Sequence, residues 1–110
     1  DGVYNEKRIL STESIDIMTS KYTNGYPDPN EPGVFPDLAG YYLGFTFSVL
    51  EDQEVDGTGA GIGSYGWSGY HNTHFWIDPE NKMYGLFMSR AIEFDFGIPA
   101  GLKKATYSKF

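Results

Sequence analysis

Cysteine is absent from the chain, so neither a disulfide framework nor thiolate chemistry is available, and that absence fits an oxidising or a reducing compartment equally. Positive charge is scarce as well. Eight Lys and Arg stand against fifteen Asp and Glu, for a net charge of −7, and the eight are scattered. A surface that tracks phosphates needs clustered cations, so nucleic acid is excluded as a partner. No apolar run approaches the roughly 20 residues of a membrane span. The opening "DGVYNEKRIL" lacks the basic and apolar regions of a signal peptide, leaving either a mature chain that starts there or a longer one cut before it.

Aromatic residues, by contrast, are plentiful. They make up 17% of 110 residues, within a hydrophobic share of 40%, which describes one globular domain near the size where a single core is adequate. Nine tyrosines suggest many amphipathic contacts at a surface or interface.

The first periodic segment, "ILSTESIDIMTSKY", places Ile15, Ile17, Met18 and Tyr22 on one side of a helix over 12–21, with Ser11 as N-cap and Glu13 in the first turn. "TNGYPDPNEPGVFPDLAG" holds four of the six prolines and reads as a long loop. "YYLGFTFSVLED" reads as a strand over 41–50, buried on one face. A glycine-rich connection comes next, then "WSGYHNTHFWI", "DPENK" and "MYGLFMSRA". Pro79 presets one turn torsion and Asn81 tolerates the left-handed one, so Asp78–Asn81 joins two strands of a hairpin. A short helix is expected after Pro99. The fold class is therefore α+β, an antiparallel sheet of three or four strands with flanking helices.

Several short patterns invite chemistry and fail on context. Gly61-Ile62-Gly63-Ser64-Tyr65-Gly66 matches the glycine pattern that cradles pyrophosphate, but the residues downstream of it are strand-like, and that chemistry needs a helix N-terminus. Asp52–Gly57 resembles half a calcium loop, yet the twelfth position, which should be a bidentate Glu, is Gly63. It reads as a solvated acidic turn. His71 and His74 lie three apart, on opposite faces if on a strand, with no further ligand nearby, so no metal is expected and no cofactor is implied. One histidine should face the core or a cleft and the other solvent. No serine has a lysine three residues on, and Gly66-Trp67-Ser68-Gly69-Tyr70 misplaces the glycines of a nucleophile elbow. Tyr22-Thr23-Asn24 and Tyr70-His71-Asn72 fit Tyr-x-Asn, a pattern that nine tyrosines produce by chance.

Over residues 2–90 the order of segments nonetheless resembles the C-terminal part of the serine β-lactamase-like hydrolases: class C β-lactamases, D-amino-acid peptidases and β-lactamase-like esterases. Ile9-Leu10-Ser11-Thr12-Glu13-Ser14 entering a helix that ends Met18-Thr19 is similar to that family, as is the aromatic strand after it. The most specific part is Trp67-Ser68-Gly69 followed by Thr73, Phe75, Trp76, Asp78, Pro79 and Glu80. The family's third motif, on the strand bordering the active site, is Lys-Thr-Gly, His-Thr-Gly or Trp-x-Gly, and Trp67-Ser68-Gly69 looks like the last form.

The resemblance implies the C-terminal portion of a β-lactamase/transpeptidase-like fold. Gly69 would let substrate lie close to the backbone, and the amide of Tyr70 would be one of two oxyanion-hole donors. Trp67 and Ser68 would bind substrate, with His71 and Asn72 at the rim. The family's Ser-x-x-Lys nucleophile and catalytic Tyr-x-Asn precede this segment, and neither is present. The chain alone is then inactive and completed by the N-terminal part of the hydrolase, acting on a small-molecule or peptide substrate. No cation at position 67 awaits a substrate carboxylate, which favours ester or D-peptide over penicillin. The resemblance points to a periplasmic or other extracytoplasmic setting, and exposed strand edges to a homo-oligomer. Two other classes stay open: a small carbohydrate- or peptide-binding β-module stacking Trp67, Tyr70 and Trp76 on its ligand, and a structural domain with those rings as core.

Overall fold

The computed structural model describes residues 2–23 and 38–109. Most of the expected proline-rich loop, and Asn24 of the first Tyr-x-Asn pattern, lie outside the described residues. The chain opens with a small hairpin, β1 (Val3–Tyr4) and β2 (Lys7–Arg8), turned through Asn5 and Glu6 at φ 47° and 65°. Two left-handed residues in succession are what a two-residue hairpin turn requires. Helix α1 (Thr12–Thr19) comes next; Ser11 caps it by accepting the Ser14 amide at 3.0 Å. It stops two residues before the expected end, and its apolar residues do not share one face. Ile15 and Met18 are half-buried while Ile17, two positions and about 200° around the helix from Ile15, is exposed, and Tyr22, also exposed, lies beyond the helix end.

Five strands then form one antiparallel sheet in sequence order: β3 (Tyr41–Leu43), β4 (Ser48–Leu50), β5 (Tyr65–Ser68), β6 (His74–Asp78) and β7 (Met83–Phe87). The expected single strand over 41–50 is in fact two, which raises the count above three or four. The chain reverses after Gly44, whose amide donates to the Phe47 carbonyl at 2.8 Å, and Leu43 pairs with Ser48. Glycine is needed there, since a Cβ would lie 2.6 Å from the carbonyl oxygen of Met18 at the end of α1.

Asp52 to Gly57 is a one-turn helix rather than a bare turn: α2 (Gln53–Asp56) is capped by Asp52, which accepts the Glu54 and Val55 amides at 3.1 Å, and closed by left-handed Gly57. The Gly61–Gly66 stretch leads into β5, as a connection and not a phosphate loop. The β6–β7 hairpin forms as expected, with one difference: the left-handed residue is Lys82, not Asn81. Asn81 instead spends its side chain on Asp78.

The final helix, α3 (Gly97–Tyr107), starts before Pro99 and packs on one face of the sheet. Beneath it, Trp76 lies between its cross-strand neighbours Gly66 and Gly85, and a Cβ on Gly85 would fall inside the indole ring. The buried apolar residues, Tyr41, Val49, Leu50, Ala60 and Trp76, are few. Polar groups inside the fold do much of the remaining joining. Asp78 is fully buried and accepts from Gly61 N and both Asn81 nitrogens at 2.9 Å and from the Tyr107 hydroxyl at 2.7 Å, so one carboxylate ties the glycine-rich loop, the β6–β7 turn and α3 together. Burial alone would raise its pKa; the donors from Asn81, Gly61 and Tyr107 outweigh burial and hold it at about 2. No helix among the described residues is long and apolar enough to cross a membrane. The outer edge of β7 pairs with no strand among the described residues, and Tyr84 and Leu86 are exposed on it.

Candidate functional site

Strand β5 ends in a tight turn. Gly69 N donates to Thr73 O at 2.8 Å and Asn72 N to Gly69 O at 3.0 Å, with Asn72 left-handed at φ 59°. A side chain on Gly69 would meet the Thr73 hydroxyl, which would have to turn aside. This turn opens onto a cavity of about 620 Å³ between the end of β5, the start of β6 and the N-terminal half of α3. Trp67, Ser68, Gly69 and Tyr70 all line it, bringing four of the six sequence-predicted site residues together along one wall.

The other two sit elsewhere. Asn72 is buried inside the turn and not at the rim; among the described residues neither atom of its side-chain amide has a hydrogen-bond partner. His71 is exposed, with Nδ1 3.1 Å from the Ala91 carbonyl, and so helps hold the segment after β7 against the turn. The Ser89 hydroxyl, donating to the His71 carbonyl at 2.5 Å, works in the same direction. Trp67 is 43% exposed and Tyr70 86% exposed, so neither ring is core.

Sequence reasoning missed the cavity's polar end. His74 is the histidine that faces inward; its Nδ1 lies 2.9 Å from Ser68 Oγ, its ring stacks on Trp76 at 5.9 Å, and its Nε2 is buried with no hydrogen-bond partner among the described residues. Burial, and then the positive charge of Lys103, pull its pKa down to about 4, so the imidazole is neutral at physiological pH. Lys103, from α3, is itself buried; its ammonium lies 3.3 Å from the Tyr41 hydroxyl, 5.3 Å from the centre of the Tyr41 ring and 5.7 Å from that of Trp76. Asp56, also in the lining, accepts from the Tyr41 hydroxyl at 2.8 Å and from both the amide and hydroxyl of Thr58. Alternation around Trp76 could have placed His74 on the Ser68 face. No local pattern could have placed Lys103 there, because its neighbours are about 30 and 60 residues away in the chain.

Ser68 and His74 have the separation of a nucleophile and its base, but the pair is poorly suited to that task. A base held near 4 is weak at neutral pH, and among the described residues no third group orients the imidazole through Nε2. Among the described residues no group of three His, Cys, Asp or Glu could hold a metal ion. The arrangement can bind: a mostly apolar concavity with a few convergent polar groups is the usual character of a small-molecule site. The chain matches no protein-family model, and no curated protein matches it.

Proposed function

We propose that this chain is the C-terminal part of a β-lactamase-like serine hydrolase and forms one wall of its active site, with the fold of the C-terminal portion of that family. The observation that carries this reading is that Trp67, Ser68, Gly69 and Tyr70, the residues of the Trp-x-Gly resemblance and the position after it, run together along the wall of one cavity. Two further features support it. Among the described residues no strand pairs with the outer edge of β7, where a strand from elsewhere could add, and none of the chain's serines is followed three residues later by lysine.

In this reading a serine from the N-terminal part attacks the carbonyl of an ester or D-peptide, and the developing oxyanion accepts the N–H of Tyr70. One such donor is worth roughly 3–4 kcal/mol of barrier. Gly69 lets substrate approach the strand, Ser68 offers a hydroxyl, and the exposed face of Trp67 packs against the acyl or leaving group. The chain alone forms no acyl-enzyme. The test is intact-mass analysis after incubation with a β-lactam and an activated ester: no adduct is expected on this chain, whereas one equivalent should add to a complex that also carries a Ser-x-x-Lys segment. Stoichiometric labelling of a serine in this chain alone refutes the reading.

The exposure of Trp67 and Tyr70 supports a second reading, a binding module for carbohydrate or peptide that stacks ligand on these rings. Quenching of tryptophan fluorescence by a glycan or peptide panel is expected in that case, and a silent panel removes it.

A further inference from the structure

We propose that the cavity beneath α3 is a binding site for an uncharged apolar alcohol, a molecule with a medium-length chain or two rings and one hydroxyl, seated with that hydroxyl on Ser68 Oγ and its body against the apolar lining. The inference does not rest on the hydrolase reading. It concerns binding alone, and every group it uses belongs to this chain.

Size and lining select the body of the ligand. A cavity of about 620 Å³ suits a molecule with a medium-length chain or two rings. Ile92, Phe94 and Phe96, from the segment between β7 and α3, line it together with Val55 and Pro99. The Phe94 and Phe96 rings pack on each other at 4.6 Å and give the cavity an aromatic wall. Ile92 is almost fully solvent-exposed and Phe94 partly so, and a bound chain would remove their apolar surface from water.

The polar lining selects against an ionic head. Lys103 and Asp56 both line the cavity, and each is already partnered within the protein. The Lys103 ammonium is buried over the Tyr41 and Trp76 rings, and Asp56 accepts from Tyr41 and from the amide and hydroxyl of Thr58. A carboxylate or ammonium drawn into this space gives up its water and finds neither of these two charges unengaged, a far larger cost than a neutral polar group meets. Ser68 supplies the contact for such a neutral group. Its Oγ lies 2.9 Å from Nδ1 of the His74 imidazole, which is neutral at physiological pH and makes that one bond in either tautomer. A serine hydroxyl has one donor and two acceptor sites, so it can still donate to a ligand when the imidazole donates to it, and still accept when it donates to the imidazole. An alcohol, being donor and acceptor at once, meets Oγ in both cases.

The chain's two tryptophans both report on this cavity: Trp67 lines it, and Trp76 stacks on His74, which lines it too. Octanol, octanoate and octylamine, titrated at pH 7.5 below their solubility and micelle limits, carry one chain with a neutral, an anionic and a cationic head. Octanol should give a saturable change in fluorescence at a concentration at least about tenfold lower than either ion. Ala100→Phe, at an exposed α3 position that lines the cavity, should weaken octanol by about tenfold or more by filling the space. Ser68→Ala should weaken it by about fivefold through loss of the hydroxyl. If Ser68→Ala does not fold, the ranking of the three probes on the unaltered protein and the Ala100→Phe result decide. No saturable response to octanol, either ion binding as tightly as octanol, or a folded Ala100→Phe or Ser68→Ala protein that binds octanol unchanged would each overturn the proposal.

Discussion

Replacing Asp78 with Asn is the sharpest probe of what holds this fold together. The carboxamide has the carboxylate's shape, so packing is preserved and only acceptor capacity and charge are lost. In the protein, Oδ2 accepts from Gly61 N, Asn81 Nδ2 and Tyr107 OH, while Oδ1 accepts from Asn81 N. An amide nitrogen at the Oδ2 position faces three donors; flipped, it faces the Asn81 amide. Some buried donors are left unpaired in either orientation, each costing about 1–3 kcal/mol. The pKa offers an independent measure: a fall from the ordinary 3.8 to about 2 corresponds to about 2 kcal/mol of preference for the ionised form in the folded state. Asp78→Asn should therefore cost about 2–4 kcal/mol, or roughly 10–20 °C in Tm for a chain of this length. Urea unfolding monitored by tryptophan fluorescence is the natural assay, because Trp76 Nε1 donates to the Tyr107 hydroxyl at 3.0 Å, which donates in turn to Asp78. The depressed pKa sets the sign with pH. The carboxylate's contribution is complete above pH ~4 and disappears as pH falls through about 2, so the variant should lack that acid limb. A variant within about 0.5 kcal/mol of the parent, or one with the parent's full acid limb, refutes this account of Asp78.

The same geometry carries three other expectations. His74, with its pKa lowered from 6.5 to about 4, binds its proton more readily in the unfolded chain; stability should fall by about 3 kcal/mol as pH drops from 7 to 4, and His74→Gln should flatten that slope in urea titrations across the window. Gly85→Ala places a methyl group inside the Trp76 indole, so a loss of about 3 kcal/mol or more is expected by thermal melting, and a neutral outcome would mean that the ring is not seated there. Leu86→Lys, at an exposed position of the edge strand β7, should reduce concentration-dependent association in analytical ultracentrifugation; a parent protein monomeric at high concentration removes the expectation of a homo-oligomer.

Elements whose causes are local were legible in the residues. Ser11 caps α1 through an amide three residues on, and Asp78-Pro79 opens the β6–β7 hairpin. Alternation over His74–Asp78 separates a buried face from a half-buried one. Each depends on neighbours a few positions apart, so the sequence alone determined an antiparallel α+β domain, while the turn that divides 67–77 into β5 and β6 was not legible in it. Only the tertiary structure decided the rest. It split 41–50 into two strands because Gly44 meets the end of α1, and it turned Asn72 inward because the Gly69–Thr73 turn needs a left-handed residue there. It also brought Lys103 from α3 to the Tyr41 hydroxyl and the Trp76 ring, which made an apolar hollow into one with a charged end. Contacts between residues so far apart leave no periodic trace in the chain; they arise when a helix settles on a sheet, and the burial that drives that settling is indifferent to sequence distance.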